Sequence, residues 1–380
     1  MQGITLYLIR AISIAILVSL GLVEARRTVD NMNVIDKCWR TNPDWRRNRR
    51  QLATCTVGFA GKMTNNIGRD VVDYKVTDSG DDDPLNPRPG TLRYAMTDLK
   101  GKVWITFKRS MSITLAKPLL VSSFTTIDGR GVNVHIENGG CLLLKKVTNV
   151  IVHGLYIHDC KPQEPGPVKG PGGEIVHLGP MDGDAIRVVT SSKIWIDHCT
   201  MYDCVDGLID VTRGSTEITI SNNWFRFQDK VMLLGHDDGF RRDVNMRVTV
   251  AFNHFGPNCI QRMPRIRFGY AHVVNNLHLG WGIYAIGGSM TPSIKSQSNL
   301  FIAPKGGNKE ITWDSNANGN FKSIEDVFEN GASFTTSVDK DAAMRPNYGA
   351  DQTFEVEDGR RVRALTKSAG ALKCPKISRC

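Results

Sequence analysis

Six short segments with one pattern of apolar and polar residues recur along the middle of the chain. They are VIVHGLYI from residue 150, IWIDHCTM from 194, ITISNNWF from 218, VTVAFNHF from 248, AHVVNNLH from 271 and IKSQSNLF from 294. In each segment the first and third residues are apolar or small, which is typical of the inward face of a short β-strand. Their starts are separated by 44, 24, 30, 23 and 23 residues, so the pattern predicts a repeating coil.

An asparagine recurs at one position of the last four segments, five residues after each start: Asn223, Asn253, Asn276 and Asn299. Stacked side-chain amides can hydrogen-bond from one coil to the next, and Asn tolerates the left-handed backbone of a sharp turn. Cys199 stands where an earlier coil would carry the same Asn. We therefore predict an asparagine ladder.

The repeat predicts an all-β fold, a right-handed single-stranded parallel β-helix in which each coil buries its inner face against its neighbours. Independent strands of a β-sandwich would not explain an Asn that recurs at one phase. Loops from the coils are expected to form a substrate cleft. The Pro- and Gly-rich stretch PQEPGPVKGPGGE, residues 162–174, lies in the 44-residue interval and is predicted to be such a loop.

Segments on either side of the coils are predicted to close the β-helix. PDWRRNRRQL, residues 43–52, is interpreted as a short basic helix that covers the N-terminal end, with Trp39 and Trp45 as packing anchors. Residues after about 305 are polar and irregular in pattern.

The N-terminus has the pattern of a secretory signal peptide, predicted to be residues 1–25. Arg10 precedes an apolar run of about 13 residues, which is too short to span a bilayer comfortably. We therefore expect a secreted, extracellular protein. The remaining chain is predicted to form a single domain, 26–380, with coils clearest at 120–305 and closing segments at 26–100 and 305–380.

The formal net charge of +10 indicates an anionic partner. Removal of the signal peptide takes away Arg10 and Glu24, so the mature chain keeps this charge. No recognition helix, zinc-ligand spacing or aromatic RNA-binding strand supports nucleic-acid binding. Acidic wall polysaccharide and anionic membrane both fit the charge, and we expect the polysaccharide, bound by a monomer.

Nine cysteines in an oxidising compartment are expected to be mostly paired, with one left over. Close spacing suggests local disulfides between Cys38 and Cys55, Cys141 and Cys160, and Cys374 and Cys380. The pairing of the other three stays open, namely Cys199, Cys204 and Cys259. The chain contains no Asn-x-Ser/Thr sequon, so N-glycosylation is not expected.

Charged residues fall into register when they are counted back from the segment starts. Asp184, Asp210 and Arg262 precede their starts by 10, 8 and 9 residues, which predicts one angular position on neighbouring coils about 4.8 Å apart. Asp182 and Asp206 each precede theirs by 12, and Lys230 repeats this phase one coil later.

This register predicts an acidic cluster beside a basic one that also includes Arg267. Four stacked carboxylates would repel one another unless a cation neutralised them, and hard oxygen ligands favour Ca²⁺.

The sequence resembles the plant pectate lyases and the related pollen allergens. The resemblance covers nearly the whole mature chain and rests on CWRTNPDWRRNRRQLATC, PGTLRYA, TIDGRG, DGDAI, IWIDHC, DGLID, KVMLLGH, IQRMPRIR and YAIGG. It implies a calcium-dependent lyase that cleaves polygalacturonate by β-elimination. It also implies site residues: calcium ligands Asp182, Asp184, Asp206 and Asp210, substrate-binding Lys230 and Arg267, and the catalytic base Arg262.

The sequence departs from the plant pattern at several positions close to the expected site. Cys199 and Cys259 are unusual, Ile266 and Phe268 stand where plant relatives commonly carry Cys and His, and GHDDGF at 235–240 replaces GHSDSY. Phe268 adjoins Arg267 and so bears on substrate positioning. A second hypothesis is therefore a pectin-binding wall or pollen protein with little or no turnover.

Two alternative assignments of the chemistry stay open at this stage. Arg262 could be a fixed carboxylate clamp with another residue as the base, because a free guanidinium stays protonated until about pH 12.5. Asp197 and His198 could form a catalytic pair, although His198, His236 and His254 are interpreted as structural. A glycoside hydrolase would need two carboxyl groups across the bond, whereas these carboxylates cluster as if around a metal.

Overall fold

A computed structural model describes residues 30–315, 318–335, 345–375 and 379–380. The predicted signal peptide, residues 1–25, lies outside the described residues. The described chain winds through three sheets in turn, and successive coils pair in parallel. The prediction of a parallel β-helix is therefore confirmed.

The three sheets run the length of the β-helix. Sheet 1 consists of Val71–Val76, Lys102–Phe107, Thr125–Asp128, Thr148–His153, Ser192–Asp197, Thr216–Ser221, Arg247–Ala251, Tyr270–Val274, Ser293–Gln297 and Asn320–Ile324. Sheet 2 consists of Met111–Ile113, Val134–Glu137, Tyr156–His158, Thr200–Tyr202, Trp224–Arg226, His254–Phe255, Leu277–Leu279, Leu300–Ile302 and Val327–Glu329. Sheet 3 consists of Leu119–Leu120, Leu142–Lys145, Ile186–Val189, Gly207–Thr212, Gln228–Leu234, Cys259–Gln261, Arg265–Ile266, Ile286–Gly288 and Thr312–Asp314.

Helices are short. The α-helices are α1 (Val34–Arg40), α2 (Leu92–Thr97) and α3 (Val362–Leu365), and the 3₁₀ helices are Arg49–Thr54, Thr64–Asn66, Pro171–Gly173, Arg241–Asn245 and Gly359–Arg361. In the part of the chain that the structure describes, no helix has the length and apolar character needed to cross a membrane.

The six repeated segments all begin in sheet 1, in the predicted register, and end in sheet 2 after the ladder position. Their first residues pair from coil to coil, in the order Val150, Ile194, Ile218, Val248, Ala271 and Ile294. All six side chains are buried in the main core, which fills the space between the three sheets. The coils also extend beyond the clearest repeats, because each sheet continues past residue 305 with one more strand.

The asparagine ladder is confirmed, and it is buried. The amide Nδ2 of Asn223 donates to Asn253 Oδ1 at 3.1 Å, Asn253 to Asn276 at 2.9 Å, and Asn276 to Asn299 at 3.0 Å. The last donor, Asn299 Nδ2, reaches Asp326 Oδ1 at 3.1 Å. Cys199 occupies the preceding step, where its backbone N–H donates to Asn223 Oδ1 at 2.9 Å.

The expectation that the ladder Asn itself has a left-handed backbone is wrong. The left-handed residue is the one before each ladder position: His198, Asn222, Phe252, Asn275, Ser298 and Glu325. The ladder Asn is therefore selected for its amide, which bridges two coils, rather than for its tolerance of a positive φ.

The predicted helix over 43–52 is wrong in its bounds and its location. The chain there forms turns followed by the 3₁₀ helix Arg49–Thr54, while α1 lies further toward the N-terminus. Trp39 and Trp45 do serve as packing anchors, but against the outer face of sheet 1, where they belong to one buried cluster with Trp104, Ile151 and Trp195. The N-terminal coil is closed instead by α2, whose Leu92, Ala95 and Met96 enter the main core.

The stretch predicted as a loop at 162–174 contains regular structure. Gly166–Lys169 and Ile175–Leu178 form an antiparallel hairpin. Val168 and Leu178 of this hairpin pack on Leu120 and Leu143 of sheet 3. The hairpin thus covers the N-terminal part of the outer face of sheet 3.

The three predicted disulfides are confirmed: Cys38–Cys55, Cys141–Cys160 and Cys374–Cys380. Cys199, Cys204 and Cys259 are free and buried, so three cysteines are left over rather than one. Burial raises the pKa of each of these thiols to about 12. They are consequently packing residues with little thiolate character.

Candidate active site

Five coils of sheet 3 share a bend at which two consecutive residues are buried. The pairs are Ala185–Ile186, Leu208–Ile209, Val231–Met232, Met263–Pro264 and Ala285–Ile286. Residues on both sides of such a pair point outward, so each coil presents two side-chain positions, three residues apart. The second row is Arg187, Asp210, Leu233, Arg265 and Gly287. Counted back by three residues from this row, the first row is Asp184, Gly207, Lys230, Arg262 and Tyr284. At the bend itself Lys230 pairs with Gln261, the residue before Arg262.

Three carboxylates form what we call the acidic group: Asp182, Asp184 and Asp206. One oxygen of each lies within 4.8 Å of the others. Asp184 is buried, and its Oδ1 accepts a hydrogen bond from the backbone N–H of Gly207 at 2.8 Å. Its Oδ2 accepts no hydrogen bond from any described residue. A buried carboxylate oxygen without a donor is costly, which makes this atom a strong candidate ligand for a cation.

Asp210 lies close to this group but in the other row. A side chain at Gly207 would intrude between them, because its Cβ would lie 2.8 Å from Asp184 Oδ1 and 3.2 Å from Asp210 Oδ1. The prediction that Asp184, Asp210 and Arg262 share one angular position is therefore wrong for Asp210, which pairs with Arg187. Asp184 and Arg262 do share the first row.

The carboxyl groups of Asp184 and Asp210 both resist ionisation. Burial, the charge of Asp210 and the charge of Asp182 raise the pKa of Asp184 far above its ordinary value. Burial likewise raises the pKa of Asp210, with Asp206 and Asp182 adding to the effect against the opposing charges of Arg187 and Arg262. An additional positive charge would therefore stabilise these carboxylates in their ionised form.

Two cationic side chains of the protein neutralise part of this negative charge. Arg187 Nη1 lies 3.0 Å from Asp182 Oδ1, and its Nε lies 3.5 Å from Asp184 Oδ2. Lys230 Nζ lies 2.5 Å from Asp206 Oδ1. Lys230 aligns with Gly207, one residue beyond the position expected from the phase of Asp206. It therefore stands at the boundary between the acidic group and the arginines of the next coils.

Arg262 has a left-handed backbone conformation at this boundary. Its φ is 65°, a conformation that the chain also adopts at the residue before each ladder position. Its backbone carbonyl accepts from Met232 N–H at 2.7 Å, so the strand fixes its position. The Nε of its guanidinium is buried and has no hydrogen-bond partner among the described residues.

Aromatic residues extend the two rows on the C-terminal side. The Tyr284 ring lies over Gly287, where a Cβ would approach the ring to 2.4 Å. Tyr284 stacks on Trp313 with centroids 5.2 Å apart, and the Arg265 guanidinium lies 5.2 Å from the Trp313 centroid. Trp313 keeps 39% of its surface exposed. Burial and the charges of Arg267 and Arg262 lower the pKa of Arg265.

Arg267, which is predicted to bind substrate, forms an ion pair and a hydrogen bond with the hexapeptide GHDDGF at 235–240. Its Nε lies 3.1 Å from Asp238 Oδ1, and its Nη1 donates to the Gly235 carbonyl at 3.0 Å. The two departures beside it are buried: Ile266 belongs to the main core, and Phe268 is 5% exposed. Phe268 thus does not present its ring on the open face.

The alternative pair of Asp197 and His198 lies elsewhere. His198 Nε2 lies 2.7 Å from Asp36 Oδ1 of α1, its Nδ1 contacts the Gly370 carbonyl at 3.1 Å, and both residues of the pair are fully buried. Asp197 Oδ1 accepts from Ser221 and Asn222. This pair is enclosed beneath the terminal segments, so it cannot meet a polymer.

Sequence reasoning missed Arg187, Arg265, Tyr284 and Trp313. A signal for the first three exists, because each stands in a polar–apolar–apolar–x tetrapeptide: DAIR at 184–187, RMPR at 262–265 and YAIG at 284–287. Two consecutive apolar residues at the bend bring positions one and four to the same face. Trp313 carries no such signal.

Comparison with known proteins identifies the family. The sequence profile described as pectate lyase matches residues 110–353. "Probable pectate lyase 9" of Arabidopsis thaliana is 48% identical over 359 residues, covering 92% of this chain and 77% of its own. The chain belongs to the pectate lyase family.

Other pectate lyase relatives agree with this assignment. "Pectate lyase" of Zinnia elegans is 48% identical over 355 residues, covering 92% of this chain and 87% of its own. The crystal structure of jun a 1, the major allergen from cedar pollen, superposes with a TM-score of 0.86 at 46% identity, covering 90% of this chain and 99% of that one. A Xanthomonas campestris pectate lyase, at 19% identity and a TM-score of 0.55, shares the fold.

Proposed function

We propose that this chain is a secreted, calcium-dependent pectate lyase that cleaves polygalacturonate of the plant cell wall by β-elimination. The observation that carries the proposal is the open face of sheet 3. There the buried, undersatisfied carboxylate of Asp184 and the unpaired guanidinium nitrogen of Arg262 lie in one row, in a member of the pectate lyase family.

Polygalacturonate suits the charge of the site. Each sugar of this polymer carries one carboxylate, and Lys230, Arg262, Arg265 and Arg267 present positive charge along neighbouring coils. Arginine forms planar, bidentate contacts with carboxylates, which orients a chain as well as attracting it. The solved relatives include a pectate lyase in complex with trigalacturonate, although at 18% identity that likeness concerns the fold alone.

The acidic residues fit Ca²⁺. Asp182, Asp184 and Asp206 offer carboxylate oxygens within 4.8 Å of one another, Asp210 lies beside them, and Asp184 Oδ2 has no donor among the described residues. Calcium takes six to eight such oxygen ligands, some of which come from water or substrate. When bound, the ion would supply positive charge to a substrate carboxylate and so acidify the adjacent C–H.

We assign the base to Arg262. β-Elimination requires removal of the C5 proton, which is acidic because it is α to the carboxyl group. A guanidinium is ordinarily protonated below about pH 12.5, so turnover that uses this base is expected at alkaline pH. Lys230 would stabilise the charge that develops on the substrate carboxylate as the proton leaves.

The test is incubation of the mature protein with polygalacturonate while the ultraviolet absorbance of the unsaturated product is followed. The proposal predicts a steady rise at alkaline pH with Ca²⁺, absent in a heat-killed control. Release of reducing ends without this absorbance would indicate hydrolysis and contradict the lyase assignment. Polymer binding with neither product would favour the second candidate, a pectin-binding wall or pollen protein, which the similarity to the cedar pollen allergen supports.

A further inference from the structure

A second cluster of ligand atoms lies on the outer face of sheet 2, apart from the proposed active site on sheet 3. His135 and Glu137 are alternate residues of the strand Val134–Glu137, so their side chains project from the same face. His158 lies on the next coil and pairs directly with Glu137. Two coils therefore contribute ligands to one place.

The three side chains converge on one point. His135 Nδ1 lies 2.9 Å from His158 Nε2, and Glu137 Oε2 lies 3.1 Å from the same nitrogen. All three atoms lie within 4.8 Å of one another. A single proton can satisfy only one of the two contacts at His158 Nε2, whereas a metal ion could accept electron pairs from all three atoms.

The surroundings fix the two imidazoles in place. His158 Nδ1 lies 2.6 Å from Asp159 Oδ2, so a proton at Nδ1 is held by this carboxylate and Nε2 is directed at the cluster. This carboxylate–imidazole arrangement is the support that metal-binding histidines usually have. The His135 ring stacks on Tyr156, and the His158 ring stacks on Tyr202, each at 4.5 Å and 7°.

We propose that His135, Glu137 and His158 form a binding site for a divalent transition metal, with Zn²⁺ as the representative ion. Two imidazole nitrogens and one carboxylate oxygen are a ligand set that suits zinc and its neighbours, whereas calcium takes oxygen ligands. The contact atoms need only small movements, because ligand atoms around tetrahedral zinc lie about 3.3 Å apart.

The metal would join two successive coils near the N-terminal end of sheet 2. The Glu137 side chain is 20% exposed, so the site opens to solvent and leaves room for water as a fourth ligand. Because the ligands come together only in the folded chain, bound metal is expected to raise the thermal unfolding temperature.

The experiment is calorimetric titration of the mature, metal-stripped protein with Zn²⁺, in saturating Ca²⁺ so that the acidic group is occupied. We expect one zinc ion per chain and a raised unfolding temperature. Glu137→Gln and His135→Gln should abolish this binding. Asp159→Asn, which keeps a residue that tolerates the local φ of 52°, should weaken it about 10- to 100-fold.

His177→Gln is the matched control, because His177 is exposed on the hairpin and distant in sequence from the cluster. It should bind zinc like the parent protein, and so should Asp206→Asn. Equal binding by the parent and Glu137→Gln would overturn the proposal, as would the absence of stoichiometric zinc in the parent. Visible absorption of the Co²⁺ form gives a second readout, and Glu137→Gln should eliminate it without change in the circular dichroism of the fold.

Discussion

Asp128 and Asp184 are both buried carboxylates on the outside of the β-helix, but one is fully satisfied and the other is not. Asp128 accepts from Arg130 Nε at 2.8 Å and Arg49 Nη1 at 2.7 Å, and from the Trp104 indole at 3.2 Å. Although burial alone would raise the pKa of Asp128, these two guanidinium groups hold it well below its usual range. Burial and neighbouring carboxylates raise the pKa of Asp184 instead.

The difference follows from what covers each face. The outer face of sheet 1 is enclosed by the N-terminal segment and by the chain around residues 354–374, which bring their own cations and apolar side chains. Among the described residues, the apolar cluster on the outer face of sheet 3 lies near its N-terminal end, where the hairpin packs. On the later coils of sheet 3 some carboxylates are not fully neutralised by side chains of the protein, so they can bind a ligand. Asp128 is neutralised by arginines of the fold, whereas Asp184 would be neutralised by a bound cation.

The largest expected effect is the loss of stability when Asp128 is removed. Asp128→Asn leaves the buried Arg130 and the half-buried Arg49 without their counter-ion, which should lower the free energy of unfolding by about 3 to 5 kcal/mol. Asp184→Asn should not lower it in metal-free buffer, since it removes repulsion and keeps an acceptor for Gly207. Urea unfolding of both variants tests this, and equal destabilisation would contradict the comparison.

The next effect concerns turnover. Arg262→Lys keeps a positive charge but loses the planar fork and changes its reach, so turnover should fall by about 10²-fold or more while polygalacturonate binding is roughly preserved. Steady-state kinetics and equilibrium binding would be measured together. If binding collapsed while turnover at saturation survived, Arg262 would be the carboxylate clamp, and the base would have to be sought among Lys230 and Arg267.

A smaller effect concerns pH. With their raised pKa values, Asp184 and Asp210 favour the metal-free fold while protonated, and this contribution is lost as the pH rises through those values. Asp182, Asp206, Arg187 and Arg262 are the charges that act on Asp210. Calcium should reverse the loss, so its effect on the unfolding temperature should be larger at about pH 8 than at about pH 5. A shift independent of pH, measured by scanning calorimetry, would argue against the acidic group as the ligand set.

The smallest expected effect concerns Arg267. Its exposed partner Asp238 competes with substrate for the guanidinium, so Asp238→Asn should lower KM by about twofold to fivefold without changing kcat. Asp237→Asn is the control, because Asp237 contacts His236 instead. An unchanged or higher KM for Asp238→Asn would show that Asp238 positions Arg267 rather than competing for it.

Much of sheet 1 could be predicted because its turns into the ladder have constant length. The segment starts and the Asn ladder therefore stay in register over five coils. Positions in sheet 3 could be predicted only approximately by counting back from the segment starts in sheet 1. The reason is that the turn from Val189 to Ser192 is one residue shorter than the turn from Thr212 to Thr216. This residue adds to the difference between the counts of Asp184 and Asp210, which precede their segment starts by 10 and 8 residues. Together they put Asp210 three residues from the position that aligns with Asp184.

Other features could not be found from the repeat at all. The packing of the N-terminal segment on sheet 1 depends on contacts between residues far apart in sequence, such as Trp39 with His153. The pairing of Arg187 with Asp182 depends on side-chain reach across the bend. The resemblance to a family supplied the roles of the site residues, and their convergence in space supports the proposal without assigning those roles.

The most direct test of the account is turnover of polygalacturonate by metal-stripped protein as Ca²⁺ is added back, followed by the absorbance of the unsaturated product. We predict no turnover in EDTA, saturable recovery with Ca²⁺, and a weaker apparent affinity for Ca²⁺ in Asp210→Asn. Full activity of the parent protein in metal-free buffer would contradict the assignment of the acidic residues as a calcium site.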